Sequence, residues 1–182
     1  MRIIGGKYRG RVLKEFSGRE IRPTSDRARE SLFNILQRKI PGCRFLDLFA
    51  GTGGVGIEAL SRGAETVWFS DVRRESIAVL KANLALVKEP DKNVLCCDFR
   101  DTLGKMRDKG QKFDVIFIDP PYASDFGEEA LSLIKQYALL SENGVAVFEH
   151  DGVKKCDALR LTDSRKYGVA VFDFYEDEKN EA

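Results

Sequence analysis

A chain of 182 residues with 43% hydrophobic and 32% charged residues is long enough for one domain with a sizeable core, and its composition is that of a globular protein rather than a disordered or fibrous one. The net charge of +1 excludes neither a nucleic acid nor a small-molecule substrate, and no apolar run approaches the ~20 residues of a membrane span. Four cysteines (Cys43, Cys96, Cys97, Cys156) show no CxxC pairing and no nearby histidine, so reduced thiols are expected rather than a metal site or a disulfide framework.

The opening stretch, MRIIGGKYRGRVLK, has no apolar core of the kind a signal peptide needs, which makes a cytoplasmic location the default expectation. It carries Arg2, Lys7, Arg9, Arg11 and Lys14 with no acid, around a Gly-rich turn flanked by apolar and β-branched residues. A small hairpin or arm is the reading, spanning residues 1–23 as a unit distinct from a main domain at 24–182. Its charge suits a polyanion, and equally suits an edge guarded against aggregation. Asp26 in a first turn and Ala28, Leu32, Ile35 or Leu36, and Ile40 at helical spacing predict a helix capped by Thr24 or Ser25 and broken at Pro41–Gly42.

From there the pattern alternates. Strands are predicted at 44–49, 66–71, 93–98, 113–119, 144–150 and 167–175, with helical stretches at 55–62, 74–88, 101–109 and 128–140 between them. Alternation with nearly continuous apolar strands implies α/β architecture, a mostly parallel, doubly wound sheet, with room for a late antiparallel edge strand. Ligands of such sheets bind beyond the C-terminal strand ends. There the sequence places Asp47, Asp71, Asp98 and Asp119. Each could simply cap a helix; four in series point to a crevice.

Beside the first acid lies DLFAGTGGVG, in which Gly51, Gly53 and Gly56 fit GxGxxG between a strand and a helix. The spacing, with Asp71 about twenty residues on for a ribose, suits a nicotinamide dinucleotide and S-adenosylmethionine (SAM) alike. Two features favour SAM. Asp47 would repel a pyrophosphate and attract a cationic cofactor. The strand VIFI ends in Asp119, Pro120, Pro121 and Tyr122, a stiffened acceptor pair with an aromatic ring beside it. The Asp119 carboxylate and Pro120 carbonyl can grip the two hydrogens of an exocyclic base amine and aim its lone pair, while Tyr122 stacks on the base.

IFIDPPY resembles the motif of the amino-methyltransferases, which act on adenine N6, cytosine N4 or guanine N2. With MRIIGGKYRGRVL, RPTSDRARESLFNIL and FLDLFAGTGGVGIEALSRGA in the same order, nearly the whole chain resembles the bacterial RsmD family of small-subunit rRNA (guanine-N2)-methyltransferases. The resemblance implies a Rossmann-like class I SAM-dependent enzyme modifying one guanine of 16S rRNA. The partner expected is that RNA, free or within a small subunit, for a monomer without membrane attachment. The resemblance implies that Thr24, Asp47, Gly51 and Gly53 hold the methionine end of SAM and Asp71 the ribose. Asp98 would hold the adenine amine with Phe99 beside it, in a loosely matching CCDFRDTL. Asp119, Pro120 and Tyr122 would form the amine clamp, and Arg2, Lys7, Arg9 and Arg11 would lie on RNA. Against this stand a methyltransferase for another nucleic-acid amine, a nicotinamide-dependent oxidoreductase that leaves DPPY idle, and a noncatalytic RNA-binding module. His150, Trp68 and the acidic tail read as structural or solvated.

Overall fold

The structure, a computed structural model, describes residues 1–15, 26–121, 124–152 and 156–178. Thr24 and Tyr122 therefore lie outside the described residues, as does the predicted helix cap.

Helix α1 (Asp26–Ile35) buries Ala28, Leu32 and Phe33, and a short 3-10 turn (Leu36–Arg38) continues it, with Leu36 and Ile40 buried as the apolar spacing predicts. The remaining elements are β1 (Arg44–Asp47), α2 (Gly54–Ser61), β2 (Thr66–Asp71), α3 (Arg74–Leu86), β3 (Val94–Cys96), α4 (Phe99–Asp108), β4 (Phe113–Ile118), α5 (Phe126–Gln136), β5 (Leu140–His150), β6 (Arg160–Tyr167) and β7 (Ala170–Glu176). They form one sheet in the order β3-β2-β1-β4-β5-β7-β6, parallel except at β7 and β6. The doubly wound sheet is thus present, with the strand order stepping outward in both directions from β1 and β4.

Alternation along each strand divides the core. Phe45, Val115, Phe117, Val145 and Val147 face α1, α2 and α3, whereas Leu46, Ile116, Ile118, Ala146 and Phe148 face α4 and α5. Both faces are covered, which is why the inner strands read as unbroken apolar runs.

Two expectations change at the C-terminal side. The antiparallel strand exists, but β7 lies inside, between β5 and the true edge strand β6. The stretch from Tyr167 is not one strand: it turns at Gly168, where φ is +66°, and joins β6 to β7 as a hairpin. Strand β6, RLTDSRKY, is half-buried at most along its length, and no apolar face betrays it.

The N-terminal arm also differs from an exposed flap. It is a short hairpin, with an Arg2–Val12 antiparallel bridge and the Ile3 amide on the Arg11 carbonyl at 3.0 Å. Ile3 and Leu13 are 1% and 3% exposed and belong to the main core. Gly6, at φ +76°, sits so close to α2 that a Cβ there would lie 1.8 Å from the Ser61 carbonyl oxygen. The hairpin, read from the sequence as a unit distinct from the main domain, thus shares its core: the basic side chains are outside, Ile3 and Leu13 inside.

Candidate active site

The C-terminal strand ends form the crevice edge. At the end of β1, Asp47 is 2% exposed and its Oδ2 accepts the Gly56 amide of the first turn of α2 at 2.9 Å. Burial, with Asp71 adding repulsion, pushes its carboxyl up to about 7. The same amide is one that a pyrophosphate at this helix terminus would need, and Asp47 already holds it. Between the two, Gly51 and Gly53 have φ of +53° and +87°, and a Cβ at Gly53 would come within 2.2 Å of Leu80. This loop tolerates only glycine at that point.

Asp71, ending β2, braces the loop from the side: Oδ2 accepts the Gly51 amide at 2.8 Å and Oδ1 the Arg73 amide at 2.8 Å. Next to it, directly after the end of β2, Val72 is 66% exposed.

Asp98 caps α4, accepting the Arg100 amide at 2.9 Å, and lies 3.3 Å from the Arg100 guanidinium. Phe99 is only 4% exposed, packed between Phe49 and Phe126 at ring distances of 5.3 and 5.4 Å with Arg100 over its face at 4.4 Å. It offers a ligand an edge at most.

Across the crevice, Asp119 directly follows β4 and Pro120 is buried. Register explains its neighbours. Asp47 pairs with Phe117, and Ile118 with Phe148, so Asp119 and Glu149 come next on the same face as Asp47. Burial first, then Glu149 and Asp47, hold the Asp119 carboxyl well above the usual carboxylate range. Glu149 itself is 1% exposed and was missed as a site neighbour. His150 points to the other face, 2.9 Å from Asp173 Oδ2 and against Phe148, in keeping with a structural role. Of the four strand-end acids, Asp47, Asp71 and Asp119 are joined electrostatically, while Asp98 stands apart with Arg100.

The arm packs on α2 and α3, the helices that flank the glycine loop. Glu58 on α2, 1% exposed, accepts the Ile4 and Gly5 amides at 2.8 Å each and the Arg62 guanidinium at 2.7 Å, with buried Arg29 at 3.9 Å. Asn83 on α3, 0% exposed, accepts the Lys14 amide at 2.8 Å and donates to the Lys14 and Thr52 carbonyls at 3.0 Å each. Neither residue was singled out in the sequence, because a polar residue on an amphipathic helix reads as solvated until its partner strand is known. Arg2, Lys7, Arg9 and Arg11 are all exposed. Lys7 pairs with Glu89 at 2.8 Å and Arg11 donates to the Leu86 carbonyl at 2.7 Å, both near the C-terminal end of α3.

Among known proteins, residues 1–176 match the family model described as "Conserved hypothetical protein 95". The Haemophilus influenzae protein named ribosomal RNA small subunit methyltransferase D is 38% identical, over 97% of this chain and 93% of that protein. The Escherichia coli protein of the same name is 35% identical over 83% and 75%. Among solved structures, the Thermus thermophilus protein TTHA0928 superposes with a TM-score of 0.86 at 32% identity, covering 97% of this chain and 99% of that one. The Escherichia coli protein yhhF gives 0.85 at 33%, covering 98% of each. With a family model and close relatives both spanning nearly its whole length, the chain belongs to that family, the RsmD family of methyltransferases.

Proposed function

We propose that this protein transfers a methyl group from SAM to the exocyclic N2 amine of a guanine in 16S rRNA. The observation that carries the reading is the pairing, across one crevice, of a cation-ready acid at the glycine loop with a rigid acceptor pair at the end of β4.

The residues present fit the cofactor. Asp47 is a buried carboxyl held near neutrality, which is stabilised in its ionised form once a positive group lies beside it. Gly51 and Gly53 bring bare backbone to the crevice, and Asp71 keeps oxygens at its rim where ribose hydroxyls can donate. Thr24 is assigned to the methionine end, Asp98 to the adenine amine and Phe99 to the adenine edge. The cofactor supplies an electrophilic methyl group.

The protein's own contribution is alignment. Asp119 and the Pro120 carbonyl accept the two amine hydrogens, which turns the nitrogen lone pair toward the methyl. No strong base is required, since the nitrogen becomes acidic as it gains the methyl. Acceptors fixed before reaction favour the positive charge that develops there. Tyr122 stacks on the base extruded into the crevice.

Residues 1–23 act as the RNA-contact arm, through Arg2, Lys7, Arg9 and Arg11, and residues 24–182 as the catalytic domain. The relatives named for the small subunit support an rRNA substrate. We infer that the RNA is taken free or within a small subunit, by a monomer in the cytoplasm. No helix among the described residues is long and apolar enough to cross a membrane. The test is incubation with methyl-labelled SAM and small subunits, rRNA or DNA from a strain lacking the protein, followed by nucleoside mapping. Label in N2-methylguanosine of small-subunit rRNA is expected; label in methyladenine or methylcytosine would move the clamp to another base.

A further inference from the structure

The arm and the glycine loop share one buried residue. The Asn83 carboxamide takes both backbone groups of Lys14 on one side and the Thr52 carbonyl on the other, with no exposure to solvent. Three of its hydrogen-bonding capacities are thus spent on two segments that are otherwise 38 positions apart. A second contact runs parallel to it. A Cβ on Gly54, where α2 begins, would lie 2.5 Å from the Met1 thioether, so the start of the arm is packed on the start of that helix. A turn further along α2, Glu58 takes the Ile4 and Gly5 amides. The glycine loop and the hairpin are therefore tied through shared contacts on Asn83 and α2.

We propose that Asn83 is a positioning residue that couples the arm to the glycine loop, so that engaging RNA on the arm tightens the cofactor site and cofactor binding stiffens the arm for RNA. The proposal rests on the SAM and rRNA reading above. Its physical basis is shared ordering: whichever ligand binds first fixes the common unit, and the second then loses less conformational freedom. Such coupling is reciprocal, acting with the same factor on each ligand. Asn83 suits the role because a carboxamide can donate to Thr52 and accept from Lys14 at once, which neither a carboxylate nor an apolar side chain can do.

The experiment measures binding of S-adenosylhomocysteine, the unreactive product form, with and without small ribosomal subunits from a strain lacking the protein. Wild type and Asn83→Leu and Asn83→Asp variants are compared, with melting temperature as a control. In wild type the subunits should tighten binding by about five-fold or more. In both variants that factor should fall to one, with the product's affinity measured alone reduced far less. A variant that loses stability and affinity but keeps the wild-type factor would make Asn83 merely structural and overturn the proposal. So would a wild-type factor of one. Should the variants fail to fold, amide exchange on the wild type decides: the product alone must slow exchange at Ile4, Gly5 and Lys14, and unchanged exchange there refutes the coupling. Absence of any binding by wild type would instead reject the cofactor reading itself.

Discussion

Asp71 Oδ2 accepts the Gly51 amide at 2.8 Å, so the acid expected to meet the ribose is also the side brace of the glycine loop. Its removal should act twice, on the ligand and on the loop's shape. Asp71→Ala is expected to weaken SAM binding by about 1.5–3 kcal/mol, the range for losing a hydrogen-bond acceptor that carries charge. Asp71→Asn, which keeps an oxygen for Gly51, should lose less. Calorimetry with SAM, and with NAD as a competitor that should not displace it, checks both. If NAD competed, the ribose acid would belong to a different cofactor.

Asp47 predicts a pH dependence whose sign is set by its raised carboxyl. Folded, it titrates near 7; unfolded, near the ordinary ~4. The folded state therefore holds the extra proton between those values, so this group lowers stability as pH rises from about 4 to about 7, and by a constant amount above. A cationic ligand favours the ionised form, so SAM affinity should climb with pH through about 7 and then level. Asp47→Asn should flatten both profiles and weaken SAM at alkaline pH. Melting curves and SAM titrations across the same buffers provide the comparison, and an unaltered affinity profile in Asp47→Asn would assign the titration to Asp119.

Asp119 should show the opposite balance between stability and activity. Burial, with Glu149 and Asp47 crowding it, makes its carboxyl hold the proton to higher pH than an ordinary carboxylate does. Asp119→Asn retains the shape but cannot ionise, and should remove the loss of stability that the raised carboxyl brings as pH rises while cutting turnover roughly 10²–10³-fold. SAM affinity should stay within about two-fold, because the group acts at the amine. A variant that bound SAM poorly but turned over normally when saturated would place Asp119 on the cofactor instead.

The parts of this site legible in the sequence are those made by backbone signals. The apolar run Val115–Ile118 ending at two prolines, and three glycines at fixed spacing after a strand, each constrain φ, ψ or burial locally. The adenine side was less legible: Phe99 fits the pattern, yet burial under Phe49, Phe126 and Arg100 depends on helices far apart in sequence. Strand β6 escaped because an edge strand with both faces wet needs no apolar period, and its pairing with β7 is decided by the Gly168 turn. Glu58, Asn83 and Arg29 escaped for another reason. Their partners are arm amides and carbonyls, and no residue type at 4, 5 or 14 announces which helix will receive it.

Glu58 should consequently be the costliest polar residue outside the crevice. Glu58→Ala strands the Ile4 and Gly5 amides and takes from Arg29, 1% exposed, its buried acidic neighbour. Breaking a buried ion pair from one side costs about 3–5 kcal/mol. Urea unfolding should register a loss in that range, whereas Lys7→Ala, which opens an exposed pair with Glu89, should cost under ~1 kcal/mol. A small effect of Glu58→Ala would mean the arm is held chiefly by Ile3 and Leu13.

The basic arm supplies the last prediction. A crevice that holds SAM and one base cannot choose a single guanine in a long RNA, so selection needs contacts outside it. Arg2, Lys7, Arg9 and Arg11 project outward while Ile3 and Leu13 anchor the hairpin. Charges fixed on a docked hairpin present a defined surface rather than a loose tail, which lets phosphate contacts set register as well as affinity. If each meets a phosphate, log affinity falls with log salt by about 0.7–0.9 per contact. Replacing Lys7, Arg9 and Arg11 with alanine should flatten that slope by roughly two to three units and leave SAM affinity unchanged. Stability should drop only slightly: the triple variant loses the Lys7–Glu89 pair and the Arg11–Leu86 bond, both exposed, and keeps the buried anchors. Salt titrations of small-subunit binding for wild type and the triple variant measure the slope, with SAM calorimetry alongside. A slope unchanged by the three substitutions would leave the arm as a structural brace on α2 and α3 and put RNA recognition on another surface.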